Sequence, residues 1–418
     1  MLKKFFILFL SGIFCMSLFS SNDVFAKKKE MNDVKKIRIV WDTVPDAAGY
    51  ELIVTKGKTN KPSQAVWKNE WISTPGYELD ASLLNLENGD LYWSVRGIDI
   101  NKKPLNKFSQ PHKISEAQLD PVSPLPTTKF DELPYAKMYP VYSWIPVLKA
   151  SGYDLQVYYD EDHNLTTPDK LIVAKEIQGE SAFDYYDEQA YRQAGRYWWR
   201  VRAKNILEFP LGKWSEPVIF NVESGGKIAS LGDSITHGGG AVSVPPSEPL
   251  YDWQYYSGLK IRNLGYSGNT VSDMLARFND DVLAFKPEIL VIMGGINDLR
   301  AGTKGVEVIQ GLNRIKYKCS FYNITPVFVT VAPINPYEMK TVSNIVATSG
   351  WLREERIVNE WIKRQTHYVD ITHELSDFNG WLRPELSSDG LHPDVEGKKI
   401  IGEKIGEYLK DNFIGIES

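Results

Sequence analysis

A serine hydroxyl becomes a nucleophile when a base takes its proton, and the base works when a third group fixes its tautomer. The sequence offers residues of these types. Ser234 lies in Gly232-Asp233-Ser234-Ile235-Thr236, directly after an apolar run. His392 lies in Asp389-Gly390-Leu391-His392-Pro393-Asp394, where a spacing of three residues brings a carboxylate within reach of an imidazole. Acyl transfer also needs N–H donors for the oxyanion. Gly265-Tyr266-Ser267-Gly268-Asn269 supplies a glycine whose amide can approach a ligand closely, and Gly294-Gly295-Ile296-Asn297-Asp298 supplies a carboxamide. Each segment alone has an ordinary structural reading. Ser234 reads as a helix N-cap, Gly268 as a positive-φ loop residue, Asn297 as a turn residue and His392 as part of a capped turn. The Gly-x-Ser-x-Gly elbow does not occur. Asp233 and Asp298 are expected to stabilise their loops rather than react. His237 is expected to line the pocket or lie on the surface.

Alternating strands and helices must position these segments. Residues 228–231 and 260–264 read as short strands, and 289–293 is a continuous apolar run of the kind found in a strand covered on both faces. Val271, Met274, Leu275, Phe278, Val282 and Phe285 fall at helical spacing within 270–285. A helix over 305–322, a strand over 327–331, a helix over 352–365, a strand over 368–371 and a helix over 395–412 follow. The pattern predicts a parallel sheet with helices on both faces, a three-layer α/β sandwich. Ligands bind such sheets outside the carboxyl ends of the strands. The four segments fall there or beyond the last strand, so they are predicted to meet in one cleft.

The set Gly-Asp-Ser, Gly268, Asn297 and Asp-x-x-His, in this order over residues 226–413, resembles the SGNH (GDSL-type) hydrolase superfamily. The resemblance implies a flavodoxin-like fold. It implies Ser234 as nucleophile, His392 as base and Asp389 as the group that orients it. The amides of Ser234 and Gly268 and the side chain of Asn297 would form the oxyanion hole, and no cofactor would be needed. Neither a zinc-type ligand pattern nor a Walker-type glycine loop occurs.

The first half contains an internal repeat. Trp41, Gly49-Tyr50 and the run to Val54 return as Trp144, Gly152-Tyr153 and the run to Val157. Trp93-Ser94-Val95-Arg96 returns as Trp199-Arg200-Val201-Arg202, and Phe108-Ser109-Gln110-Pro111 as Trp214-Ser215-Glu216-Pro217. Short period-two runs separated by turn residues predict two all-β, immunoglobulin-like sandwiches at 36–115 and 122–222. The paired landmarks resemble fibronectin type III domains. Residues 116–135, with Pro121, Pro124 and Pro126, read as a linker.

The N-terminus reads as a secretory signal, with Lys3 and Lys4, an apolar stretch to Phe19 and Val24-Phe25-Ala26 before the expected cleavage. The stretch is short for a membrane span, so a secreted or periplasmic protein without stable membrane insertion is expected. Cleavage over 1–26 removes Cys15 and leaves Cys319, read as a small buried apolar residue. A net charge of −5 without a basic stripe argues against nucleic acid as a partner.

The expected substrate is a short-chain ester, an O-acetylated glycan above all. Export and β-sandwich modules favour a polymer substrate or contact with a glycan or cell surface. Trp253, Tyr255 and Tyr256 are candidate sugar-stacking residues, the alternative being helix core. Two other readings stand beside this one. One is a lipase or lysophospholipase acting on longer acyl chains. The other is a catalytically silent glycan-binding or adhesion protein.

Overall fold

The computed structural model describes residues 35–84, 90–165, 170–179, 182–240, 244–413 and 415. The expected signal segment lies outside them. Among the described residues no helix is long and apolar enough to cross a membrane.

Residues 36–119 form two antiparallel sheets. Lys36–Val40 is flanked by Gly76–Asp80 and Gln118–Leu119, and Gly49–Lys56 is flanked by Ala65–Ile72 and by Leu91–Ile98, which pairs with His112–Lys113. Residues 125–222 repeat the arrangement. Val141–Ile145 lies between Asp184–Tyr186 and Leu125–Pro126, and Gly152–Tyr159 lies between Lys170–Gln178 and Gly195–Lys204, which pairs with Val218–Val222. The repeated residues make the same bonds in both copies. The Val44 amide donates to the Tyr50 hydroxyl and the Val147 amide to the Tyr153 hydroxyl, at 3.2 and 2.9 Å. Ser109 and Ser215 each accept from the amide of the repeated valine, Val95 and Val201, at 3.1 Å. The repeat therefore encodes strand-to-strand bonding as well as core packing. The proline-rich stretch read as a linker is strand in part, because Gln118–Leu119 closes the first unit and Leu125–Pro126 opens the second. Pro126 is tolerated because it lies on an edge strand, where a ladder donor is dispensable.

The C-terminal region carries a five-stranded parallel sheet. Its strands are β1 (Ile228–Gly232), β2 (Ile261–Gly265), β3 (Ile289–Met293), β4 (Thr325–Val329) and β5 (Tyr368–Val369), in the order β2-β1-β3-β4-β5. Every residue of β1, β2 and β3 is buried, as both-face coverage requires. The helices are α1 (Ser234–His237), α2 (Trp253–Tyr256), α3 (Val271–Phe285), α4 (Ile296–Ala301), α5 (Gly305–Phe321), α6 (Pro336–Ser343), α7 (Trp351–Ile362), α8 (Thr372–Leu375) and α9 (Val395–Asn412). α3, α5 and α7 pack in succession, and α2 packs on α9. β4 ends two residues earlier than the apolar run predicts. Beyond it the Val331 amide donates to Asn359 Oδ1 at 2.7 Å, so a side chain of α7 replaces a strand partner.

The second β unit and the C-terminal domain share one continuous buried cluster, running through Ala136, Met138 and Tyr139, whereas the first β unit has its own core. The short connection between them is held as well. Buried Arg262 donates to the carbonyls of Glu223 and Gly225 and lies between the rings of Tyr135 and Phe285.

Candidate active site

Ser234 opens α1, the single turn that follows β1. Asp233 caps that turn through a 3.0 Å bond from the Ile235 amide, and burial pushes its carboxyl up to about 6. α1 can lie this close to the sheet because β1 and β2 both end in glycine. A Cβ at Gly232 would meet Thr236 Oγ1 at 2.2 Å, and one at Gly265 would meet the His237 amide nitrogen at 2.2 Å.

So short a helix leaves its carbonyls without partners of its own, and distant side chains supply them. Lys398 Nζ donates to the Ile235 carbonyl at 2.7 Å. Asn263 and Gln254 donate to that of Thr236 at 2.7 and 3.0 Å, and Lys137 to that of His237 at 2.6 Å. Lys398 is fully buried, and desolvation lowers its pKa to about 7. Lys137 comes from the second β unit and is also paired with Asp252 at 2.6 Å.

The loop before α9 brings His392 to the same point. Its Nε2 is 3.0 Å from Ser234 Oγ and its Nδ1 is 2.8 Å from Asp389 Oδ2. Asp389 Oδ1 accepts from the amides of Leu391 and His392, both at 2.8 Å. Burial alone would raise the Asp389 carboxyl, but the bond and charge of His392 and these two amides outweigh it and hold the group below the usual carboxylate range.

Gly268 has φ +83°, and nothing lies within 4 Å of where a Cβ would stand, so the residue there serves the backbone conformation and open approach rather than packing. Among the described residues the amides of Ser234 and Gly268 donate to no protein group. Asn297 is oriented at both ends. Its Oδ1 accepts from Arg300 Nε at 3.0 Å, and its Nδ2 donates to the Asn269 carbonyl at 3.0 Å, leaving one N–H for a ligand. Asp298 accepts from the Val271 amide at 3.0 Å and so ties α4 to the start of α3. Arg277, unnoticed in the sequence, joins these loops. It donates to the carbonyls of Gly232 and Leu264, at the ends of β1 and β2, and to Asn269 Oδ1, at 2.9, 2.6 and 2.6 Å. It is held in turn by buried Asp281, which also receives Arg192 and the Tyr139 hydroxyl from the second β unit.

Several sequence expectations are corrected. Trp253 is 0% exposed and belongs to the core against α9, where Gly402 allows its carbonyl to approach. Tyr255 is exposed and Tyr256 half-buried, its hydroxyl donating to the Leu250 carbonyl at 3.0 Å. None of the three lines the cavity of about 200 Å³ beside His392. His237 is neither pocket wall nor surface. It is buried, with Nε2 donating to the Tyr139 carbonyl at 2.6 Å and Nδ1 accepting from Ser267 Oγ at 2.9 Å. Burial, with the charge of Lys137, lowers its pKa to about 3, so it stays neutral and both nitrogens are committed. The reading of Cys319, by contrast, holds: it is buried, and desolvation pushes its thiol up to about 12, which removes its nucleophilic character. The ring that does reach the cavity is Tyr186, from the second β unit.

Residues 230–400 match the GDSL-like Lipase/Acylhydrolase family. Together with the parallel sheet this defines the C-terminal region as a GDSL-like (SGNH) hydrolase domain. An acetylxylan esterase of Geobacillus stearothermophilus is 38% identical over 92 residues, which is 19% of this chain and 42% of that relative. This chain thus matches less than half the length of that curated relative. Similar solved structures include a GDSL-like lipase of Bacteroides thetaiotaomicron (20% identity, TM-score 0.37, 44% of this chain and 88% of that one). They also include a catalytic mutant of a Geobacillus stearothermophilus acetylxylan esterase (24% identity, TM-score 0.35, 47% and 99%).

Proposed function

We propose that this protein is an exported serine ester hydrolase that removes short acyl groups, chiefly acetyl, from O-acylated carbohydrate. The observation that carries the reading is the continuous hydrogen-bonded series from Asp389 through His392 to Ser234, with links of 2.8 and 3.0 Å. In the first half-reaction Ser234 Oγ attacks the ester carbonyl carbon while its proton passes to His392 Nε2. The oxyanion is received by the amides of Ser234 and Gly268 and the free N–H of Asn297. The carbon–alkoxy bond then breaks, and the His392 proton goes to the leaving alcohol. Water repeats the attack on the acyl-serine, giving up its proton to His392, which returns a proton to Ser234 as the carboxylic acid leaves. Asp389 fixes the imidazole tautomer and balances the imidazolium.

The named activity of the Geobacillus relative supports an acetyl group on a sugar. The test is hydrolysis across p-nitrophenyl esters of increasing chain length, with acetate release from a panel of acetylated glycans. The expected result is a preference for acetate that falls away by octanoate, with Ser234→Ala losing about 10³-fold or more in kcat. A preference for long chains would replace the carbohydrate reading with a lipase. Full activity in Ser234→Ala would remove the mechanism.

A further inference from the structure

We infer that Tyr186, carried by the second β unit, is the specificity-determining residue for the alcohol portion of the substrate, and that it stacks on the sugar ring. This rests on the carbohydrate reading above. The cavity beside the base is lined by Tyr186 together with His392, Leu391, Met339, Ser343 and Ile345. It touches the imidazole rather than Gly268 or Asn297. That position has a chemical meaning. The imidazole must deliver a proton to the departing oxygen, so the alcohol lies on the imidazole side, while the acyl oxygen lies toward the N–H donors. Tyr186 therefore faces the alcohol and not the acyl group.

The ring suits the task. Tyr186 is 44% exposed, meets the buried His237 ring edge-on at 6.2 Å and lines the cavity, so the ring is supported on one side and reachable from the other. An aromatic face matches the C–H face of a pyranose, and its hydroxyl can bond a sugar oxygen. The backbone beneath it is fixed. Tyr186 is paired with Val141 in the sheet, and the next residue, buried Asp187, donates its amide to the Pro140 carbonyl at 3.0 Å and accepts from the hydroxyls of Tyr142 and Tyr191. A platform on a strand, held by a core continuous with the hydrolase domain, keeps its position relative to His392.

The experiment compares acetate esters that differ only in the alcohol. For Tyr186→Ala in the full chain, kcat/KM for acetylated xylose is expected to fall about tenfold, mainly through KM, while ethyl acetate changes less than twofold. Tyr186→Trp is expected to retain sugar-ester activity. An equal loss on both esters, or no loss on a sugar ester that the wild type turns over, overturns the assignment. If the wild type rejects every acetylated sugar yet Tyr186→Ala selectively loses cyclohexyl acetate, the carbohydrate reading fails and the placement of Tyr186 at the alcohol stands. If the wild type rejects every acetylated sugar and Tyr186→Ala shows no selective loss on cyclohexyl acetate, both readings are overturned.

Discussion

Asp389 divides its two oxygens between two tasks. Oδ1 holds the loop through two amides, and Oδ2 holds the imidazole. Asp389→Asn can preserve the first task with its carbonyl oxygen, but its NH₂ then faces His392 Nδ1 and favours the tautomer with the proton on Nε2. Such an imidazole cannot accept the serine proton. We expect kcat to fall about 10³–10⁴-fold with little change in thermal stability, read by steady-state kinetics beside a melting curve. A loss of activity that tracks unfolding would return Asp389 to a purely structural role. Ser234, His392 and Asp389 were legible in the sequence because hydroxyl, imidazole and carboxylate side chains declare their chemistry by type. Lys398, Lys137 and Arg277 were not, because what they do at the site is bond backbone carbonyls, which any residue has, and the carboxylates that hold Lys137 and Arg277 carry no spacing signal that marks a site. Trp253 was misassigned for a different reason. It sits on a helix of four residues, and one turn is too short for periodicity to tell the buried face from the exposed one.

Helix α7 shows how an element is tied to the sheet at some cost. Asn359 accepts from the Val331 amide beyond β4, and its Nδ2 donates to Glu355 Oε1 at 2.6 Å. Glu355 is buried, and desolvation raises its carboxyl from 4.5 to about 7. A raised carboxyl contributes its stability while it is protonated, fully below about pH 4.5, and loses it as pH rises through about 7. Glu355→Gln keeps an acceptor for Asn359 and removes the charge. The variant is therefore expected to melt higher than wild type at pH 8, with the difference shrinking toward pH 5, in paired calorimetric scans. A constant offset across that range would show that the carboxyl titrates normally. The strand ends were less legible than the strands. Apolar runs mark where a sheet is covered, but where β4 stops depends on a side chain of α7 that takes the Val331 amide.

At the scale of the whole chain, the two β units relate differently to the hydrolase domain. The first touches it through polar contacts. The Tyr251 hydroxyl accepts from the Asp46 amide at 2.8 Å, and Asp46 Oδ1 accepts from the Val395 amide at the start of α9. The second is joined by the shared core and by Lys137, Tyr139 and Arg192, which reach α1 and Asp281. Removing residues 36–115 is expected to leave a folded enzyme with esterase activity within about threefold of the full chain, since the hydrogen bonds this unit makes to the hydrolase domain contribute only about 0.5–1.5 kcal/mol each. Removing residues up to 222 exposes the apolar side of a continuous core. It should yield a domain that melts at least several degrees lower and aggregates, as size-exclusion chromatography and differential scanning fluorimetry would show. The repeat was readable as two similar units, yet nothing in it distinguished the unit that stands apart from the one that does not. That difference resides in residues 135–139, which fall outside the repeated landmarks. For anyone recombining related proteins, the usable crossover therefore lies ahead of residue 122, between the β units. A splice at 223–226 falls in an exposed segment but would part the two sides of one shared core, so heredity and engineering alike must pass residues 122–413 on as a single cassette.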